Sequence, residues 1–200
     1  LARIFCNKDM TSRQWKSLIL LIPGYDPFAS SAESSFDSQA AQAALDFFPN
    51  NLRHIEGDLA GKPFVLERWQ QAIVANLFGW RRVDERGRDV RRYRECLIYV
   101  PRKNGKTPLA AGIVLFCFFE DDEKGQQIFL AAGDREQSGY LFRQVKGMIE
   151  GSEFWQTDYQ IYGGHGLGGQ AKSIVKRSDL SFIKVISSMA EMTHGGTTGL

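Results

Sequence analysis

Apolar residues along this chain fall in blocks whose spacing changes from segment to segment, and the changes predict its elements. From Asp37 or Ser38, read as an N-cap, Ala40, Ala44, Phe47 and Phe48 share one side of a helix that Pro49-Asn50-Asn51 ends or kinks. Leu66, Trp69, Ile73 and Leu77 recur at near-helical spacing and predict a second helix over 66–79, stopped at Gly79. Residues 81–94 break that periodicity: seven arginines and three acids surround Gly87, which predicts a polar hairpin or extended loop leading into a strand over Cys96–Val100. Residues 108–119 are apolar nearly all round, as expected of a helix packed on a sheet and covered on its other side. Gln127–Ala132 is apolar without alternation and reads as a buried parallel strand. Asp134 and Gln137 have the spacing of a capping box, and the helix they open places Leu141, Val145 and Met148 on one face. Leu180–Ser187 reads as a third strand. Residues 1–22 carry no legible chemistry, and 23–35, 163–169 and 193–196 read as loops.

Strand, turn, helix, strand, helix, loop, strand is a βαβ succession, so the expected fold class is α/β, with a parallel sheet flanked by helices. Two hundred residues suit one domain or a domain with an appendage, read here as an N-terminal helical and loop region over 1–60 followed by the main domain over 61–200. A formal charge of +2 is too small to name a partner. Cys6, Cys96 and Cys117 follow neither a disulfide framework nor a metal-ligand spacing; Cys96 and Cys117 read as small core residues, the usage expected in a reducing cytoplasm. The longest apolar runs, Leu18–Ile22 and Leu109–Phe119, fall short of the roughly 20 residues a membrane helix needs. The chain begins at Leu1, and is read as a fragment incomplete at its C-terminus.

The candidate chemistry sits where the predicted strand runs into the apolar helix, through Pro101-Arg102-Lys103-Asn104-Gly105-Lys106-Thr107. This order is what a phosphate-binding loop requires: inward N–H groups in a turn, then the positive end of a helix dipole. In that role Lys106 supplies a point charge to the β- and γ-phosphates and Thr107 a hydroxyl ligand for Mg²⁺. The full G-x-x-x-x-G-K-[ST] motif is only half present, because its first glycine falls at Val100. Pro108 removes one donor from the first helical turn. The competing reading is an ordinary strand-to-helix turn with an exposed lysine.

Taken in order, several segments give this chain a resemblance to the N-terminal ATPase part of the large terminase subunit of tailed bacteriophages. They are Pro23-Gly24-Tyr25-Asp26-Pro27; Pro63 to Gln70 with Leu77-Phe78-Gly79-Trp80; Val100 to Thr107; Ala131-Ala132 with Gln137; and Ser187-Ser188 with His194-Gly195. The resemblance implies a P-loop NTPase fold and a motor subunit that hydrolyses ATP with Mg²⁺. Working in a homo-oligomeric ring in the cytoplasm of the bacterial host, with the portal and the small terminase subunit, it would drive double-stranded DNA into a prohead. It implies that Lys103, Asn104 and Gly105 cradle the phosphates and that Lys106 and Thr107 act as above. Arg102 would reach the γ-phosphate, and Gln70 would read the adenine edge with one donor and one acceptor. The alternative for Arg102 is a salt bridge fixing the loop, and for Gln70 a surface amide beside a core Trp69. The family's Asp-Glu pair, expected shortly after the His-Gly segment, and its separate nuclease are not within these residues, so the chain alone is expected to hydrolyse ATP poorly or not at all.

Other constellations carry less. Arg81–Arg94 has a net charge of about +4 and reads as a solvated hairpin, with contact to DNA phosphates as the alternative. His54, His165 and His194 lack partners at ligand spacing. Glu120 to Glu123 read as a solvated acidic connector, and Ser187-Ser188 lacks the glycine frame of a nucleophile elbow. Two other functions stay open at this level: another DNA-translocating ATPase or helicase, and an inactive remnant that binds nucleotide or DNA without turnover.

Overall fold

A computed structural model describes residues 10–30, 33–120, 124–132, 135–153, 155, 157–163 and 173–187. The chain packs as two compact units: 1–54 with 59–104, and 55–58 with 105–200.

In the first unit, helix α1 (Ser12–Ile19) opens on a capping box in which the Thr11 hydroxyl accepts from the Gln14 N–H while Gln14 Oε1 accepts from the Thr11 N–H. Strand β1 (Ser34–Phe36) precedes helix α2 (Ser38–Asn51), where Asp37 Oδ1 accepts from the N–H groups of Gln39 and Ala40. Asp37 is therefore the cap, and Pro49 sits inside the helix rather than ending it. Helix α3 (Arg68–Gly79) packs on α2, and both bury alanines fully: Ala41 and Ala44 on one, Ala72 and Ala75 on the other. Of the residues expected to form the apolar face, Leu66 is buried just before the helix, while Trp69, Ile73 and Leu77 are only half-buried; the buried face carries Gln70, Val74, Asn76 and Phe78. Small residues permit the close helix approach, and the larger apolar side chains are left at its margins.

Strands β2 (Trp80–Val83) and β3 (Asp89–Arg91) form the expected hairpin, and β1 joins it to give an antiparallel sheet in the order β1-β2-β3. Gly87 takes a left-handed φ of +74° at the turn, and its N–H donates to the Asp84 carbonyl at 2.9 Å. Gly79 has no left-handed backbone. It is glycine because a Cβ there would lie 2.5 Å from the Phe36 ring and 2.9 Å from Ala41 Cβ. Trp80 anchors this unit. Its ring meets Phe28 at 5.3 Å and Phe36 at 5.5 Å, and Trp15 meets Phe36 at 5.3 Å. Each such pair contributes about 1 kcal/mol beyond the area it buries. The Trp80 Nε1–H donates to buried Asn76 Oδ1 at 3.0 Å, while Asn76 Nδ2 donates to the carbonyls of Ile19 at 3.1 Å and Ala72 at 2.9 Å. One amide thus ties α1, α3 and β2.

The second unit holds helix α4 (Lys106–Glu120), strand β4 (Gln127–Ala132), helix α5 (Arg135–Glu150), and strands β5 (Tyr159–Tyr162), β6 (Ser173–Lys176) and β7 (Phe182–Ser187). The sheet order is β4-β7-β6-β5. Only β4 and β7 pair in parallel; β7 with β6 and β6 with β5 are antiparallel, so the sheet is mixed rather than parallel. Strands of four residues are too short for a sequence pattern to declare them. β4 was expected to be buried on both faces, yet it alternates: Leu130 is buried while Phe129 is half exposed, because only one face of the strand is covered. α4 buries Leu109, Ala111, Leu115 and Phe118 along one side and leaves the rest of its apolar surface half-buried. Val145 and Met148 of α5 are buried as expected, with Phe142 and Ile149, while Leu141 is half-buried. Gly147 admits the Ile55 side chain, whose Cδ1 lies 2.8 Å from where a Cβ would stand.

Two further expectations fail. Cys96–Val100 forms no strand: no described strand pairs with it, and Leu97 and Tyr99 are 94% and 97% exposed. A strand exists only against a neighbour that takes up its N–H and C=O groups; the apolar pattern alone does not supply one. Cys96 is exposed and Cys117 half-buried, so neither is a core residue. Among the described residues no helix is long and apolar enough to cross a membrane. Asp134, Ser188, Met189, Met192, Cys6, His165, His194, Gly195 and most of the 163–169 loop lie outside the described residues.

Candidate phosphate-binding loop

The exposed segment after Val100 makes a turn at 102–103 and a bend at 104–105, then enters α4 directly at Lys106, two residues before the expected start. Backbone handedness alternates along it. Lys103 and Gly105 both have φ of +66°, while Asn104 between them is not left-handed. A positive φ suits Gly105 but is uncommon for a lysine and costs it roughly 1 kcal/mol. Alternation of this kind turns successive N–H groups toward one side, the geometry of an anion-binding nest. The Asn104 amide holds the turn by donating to the carbonyls of Pro101 at 3.3 Å and Arg102 at 3.4 Å.

Gly105 occupies the N-cap place. Its carbonyl accepts from the Leu109 N–H at 3.1 Å, and it has no side chain to offer the first turn. Pro108 contributes no N–H to the first turn of α4. Arg102, Lys103, Asn104, Gly105 and Lys106 are exposed, and Thr107 is half-buried in the first helical turn. Arg102 makes no ion pair among the described residues, so the salt-bridge alternative finds no partner there. No group of three or more His, Cys, Asp or Glu side chains placed to hold a metal ion occurs among the described residues.

Gln70 lies on α3 in the first unit and is 4% exposed. Its Oε1 accepts from the Glu67 N–H at 2.9 Å, which caps α3; its Nε2–H₂ has no bond to a described residue. It is neither a surface amide nor beside a fully buried tryptophan. The Pro23–Pro27 segment is held by Arg92, which donates to the Pro27 carbonyl at 3.0 Å and to the Ser30 carbonyl at 2.8 Å. Burial, then a hydrogen bond with Tyr93, holds the Tyr25 phenol far above its ordinary range. A shallow groove of about 290 Å³ lies at the β1-β2-β3 sheet, beside Ser34, Arg81 and Arg82, and not at the loop. Asn76 is the residue that sequence reasoning missed outright. A lone asparagine in a helix carries no signal of the network it closes.

The chain is thus a mixed α/β protein in which a Gly-Lys-Thr turn opens an apolar helix. A family model described as "Terminase large subunit, ATPase domain" matches residues 68–196, well over half of the chain, and the chain belongs to that family. The crystal structure of the HK97 bacteriophage large terminase is similar in fold, with a TM-score of 0.57 at 20% sequence identity. That likeness covers 80% of this chain and 29% of that one, so the chain spans less than a third of the length of the protein it resembles. No curated protein matches the chain.

Proposed function

We propose that residues 61–200 carry the ATP-binding part of a phage DNA-packaging motor, and that the loop over 102–107 is its phosphate site, a half-intact Walker A loop. The observation that carries this reading is the left-handed pair at Lys103 and Gly105 immediately before the first turn of α4. Lysine keeps a strained backbone only where surrounding structure or a ligand uses it. The N–H groups of Lys103 to Gly105 cradle the phosphate tail, and Lys106 sets its ammonium against the β- and γ-phosphates. Thr107 offers its hydroxyl to the Mg²⁺ that accompanies ATP, and Arg102 takes the γ-phosphate edge. Gln70 has a spare amide N–H₂ for an adenine acceptor. Bound Mg²⁺ supplies charge neutralisation across the phosphates during hydrolysis.

In the assembled motor this chain works as one member of a ring, with portal and small subunit. ATP hydrolysis there drives double-stranded DNA into the prohead in the cytoplasm of the bacterial host. The nuclease of the complete protein is separate. Titration of Mg-ATP into wild type and Lys106→Ala tests the reading. Loss of a charge-assisted contact of about 3 kcal/mol weakens binding about a hundredfold; equal affinities would sink the assignment.

A further inference from the structure

We infer that the β2-β3 hairpin is a docking surface for the phosphate backbone of duplex DNA, an inference that rests on the motor reading for its choice of partner. The residues divide sharply. Arg81 pairs with Asp89 at 3.1 Å and Arg88 with Asp84 at 2.8 Å, so both aspartates of the hairpin are occupied within it. Asp84 is further engaged by the N–H groups of Arg86 and Arg88 at 2.9 Å, and these bonds with Arg88, its backbone first, hold its carboxyl below the ordinary range. Arg92 is bound to carbonyls and lies 5.3 Å from the Trp80 ring centroid, and Arg91 lies 5.7 Å from that of Phe78. Arg82, Arg86 and Arg94 are exposed and have no ion-pair partner among the described residues. The acids nearest them form no ion pair with them among the described residues: Glu85 in the turn, Glu33, which lines the same groove as Arg82, and Glu95 beside Arg94.

Positive charge without an ion pair among the described residues thus stands at Arg82 on β2 and Arg86 in the turn, with Arg94 three residues beyond β3. It is also held still. The register Arg81↔Arg91 and Arg82↔Val90 puts Arg82 on the opposite face from Arg81, away from the pair with Asp89. β1 extends the ribbon on one side, and the Trp80 cluster with Arg92 clamps its base, so the free guanidinium groups stand on a pre-organised support. From Arg82 to Arg86 the chain spans at most about 13 Å, a few base steps of a duplex strand. The tip has no aromatic side chain to stack a base, which points to backbone contact rather than to sequence readout or single-strand binding.

The test is fluorescence anisotropy of a short labelled duplex with the 200-residue chain, without nucleotide, from about 50 to 200 mM salt. The variant Arg82→Gln/Arg86→Gln/Arg94→Gln is expected to lose at least tenfold in affinity at the low-salt end. Its log–log salt slope should become shallower by about one for each arginine removed. Arg86→Gln alone should give about a third of that change in slope, and the matching triple lysine variant should keep most of the binding, because a phosphate accepts a point charge. Unchanged affinity and slope in the triple glutamine variant would overturn the hairpin assignment while leaving DNA as the motor's partner. Failure of wild type to bind duplex would overturn both, and tighter binding to a single strand of equal length would overturn the choice of duplex. A change confined to oligomeric state would overturn it in favour of a subunit contact.

Discussion

Arg92 and Arg102 are the same residue in two neighbouring cation-rich segments, and the chain uses them in opposite ways. Arg92 donates to two backbone carbonyls and the Ser30 hydroxyl and lies against two aromatic rings. Arg102 is exposed, with no ion pair among the described residues, on a turn whose backbone is left-handed at its next residue. Arg92, with its internal partners, holds the architecture, whereas Arg102 on the strained turn makes no such tie among the described residues. Composition cannot separate the two, because both segments are simply basic.

The comparison can be broken at its strongest point first. Asn76→Ala removes one acceptor and two donor bonds from the buried tie and leaves the Trp80 N–H and the Ile19 carbonyl without a partner. The expected loss is about 3 kcal/mol by urea denaturation, with the loop's ATP affinity unaffected where the chain is folded. A loss below about 1 kcal/mol would mean the network is not the anchor described. Next, Arg92→Ala is expected to cost about 2 kcal/mol, since bonds from a charged donor are lost. Arg102→Ala should stay within about 0.5 kcal/mol of wild type in stability, as surface changes do. Similar losses in the two variants would erase the distinction.

A finer pair separates backbone from charge at Lys103. Lys103→Gly and Lys103→Val remove the same ammonium, but glycine accepts a φ of +66° and valine resists it. Glycine should therefore retain Mg-ATP binding about tenfold better than valine, a difference of about 1.4 kcal/mol. Equal affinities by calorimetric titration would show that handedness of the turn is irrelevant to binding.

Much of this division was hidden in the sequence for identifiable reasons. Helices α2 to α5 and strands β4 and β7 were legible because each carries several turns or residues of consistent pattern, and the hairpin was marked by Gly87. Helix α1 escaped although Thr11 and Gln14 have capping-box spacing, because the helix is short and largely polar. β5 and β6 are too short to show a period, and they turn the expected parallel sheet into a mixed one. Cys96–Val100 had the composition of a strand and lacked the neighbour that makes one.

At the loop, the Gly-Lys-Thr turn and its helix were readable from order alone. The left-handed conformation at Lys103 was not, because lysine does not signal positive φ. The buried state of Gln70 was missed as well, since Glu67 is not a usual N-cap and its pairing with Gln70 did not stand out.

The central claim concerns where a triphosphate sits, and a crystal structure of this chain with a non-hydrolysable Mg-ATP analogue measures that directly. The account predicts phosphate oxygens within about 3 Å of the N–H groups of residues 103–105 and of the Lys106 ammonium, with the φ of Lys103 still positive. An analogue bound elsewhere, or a turn whose N–H groups diverge from it, would contradict the account.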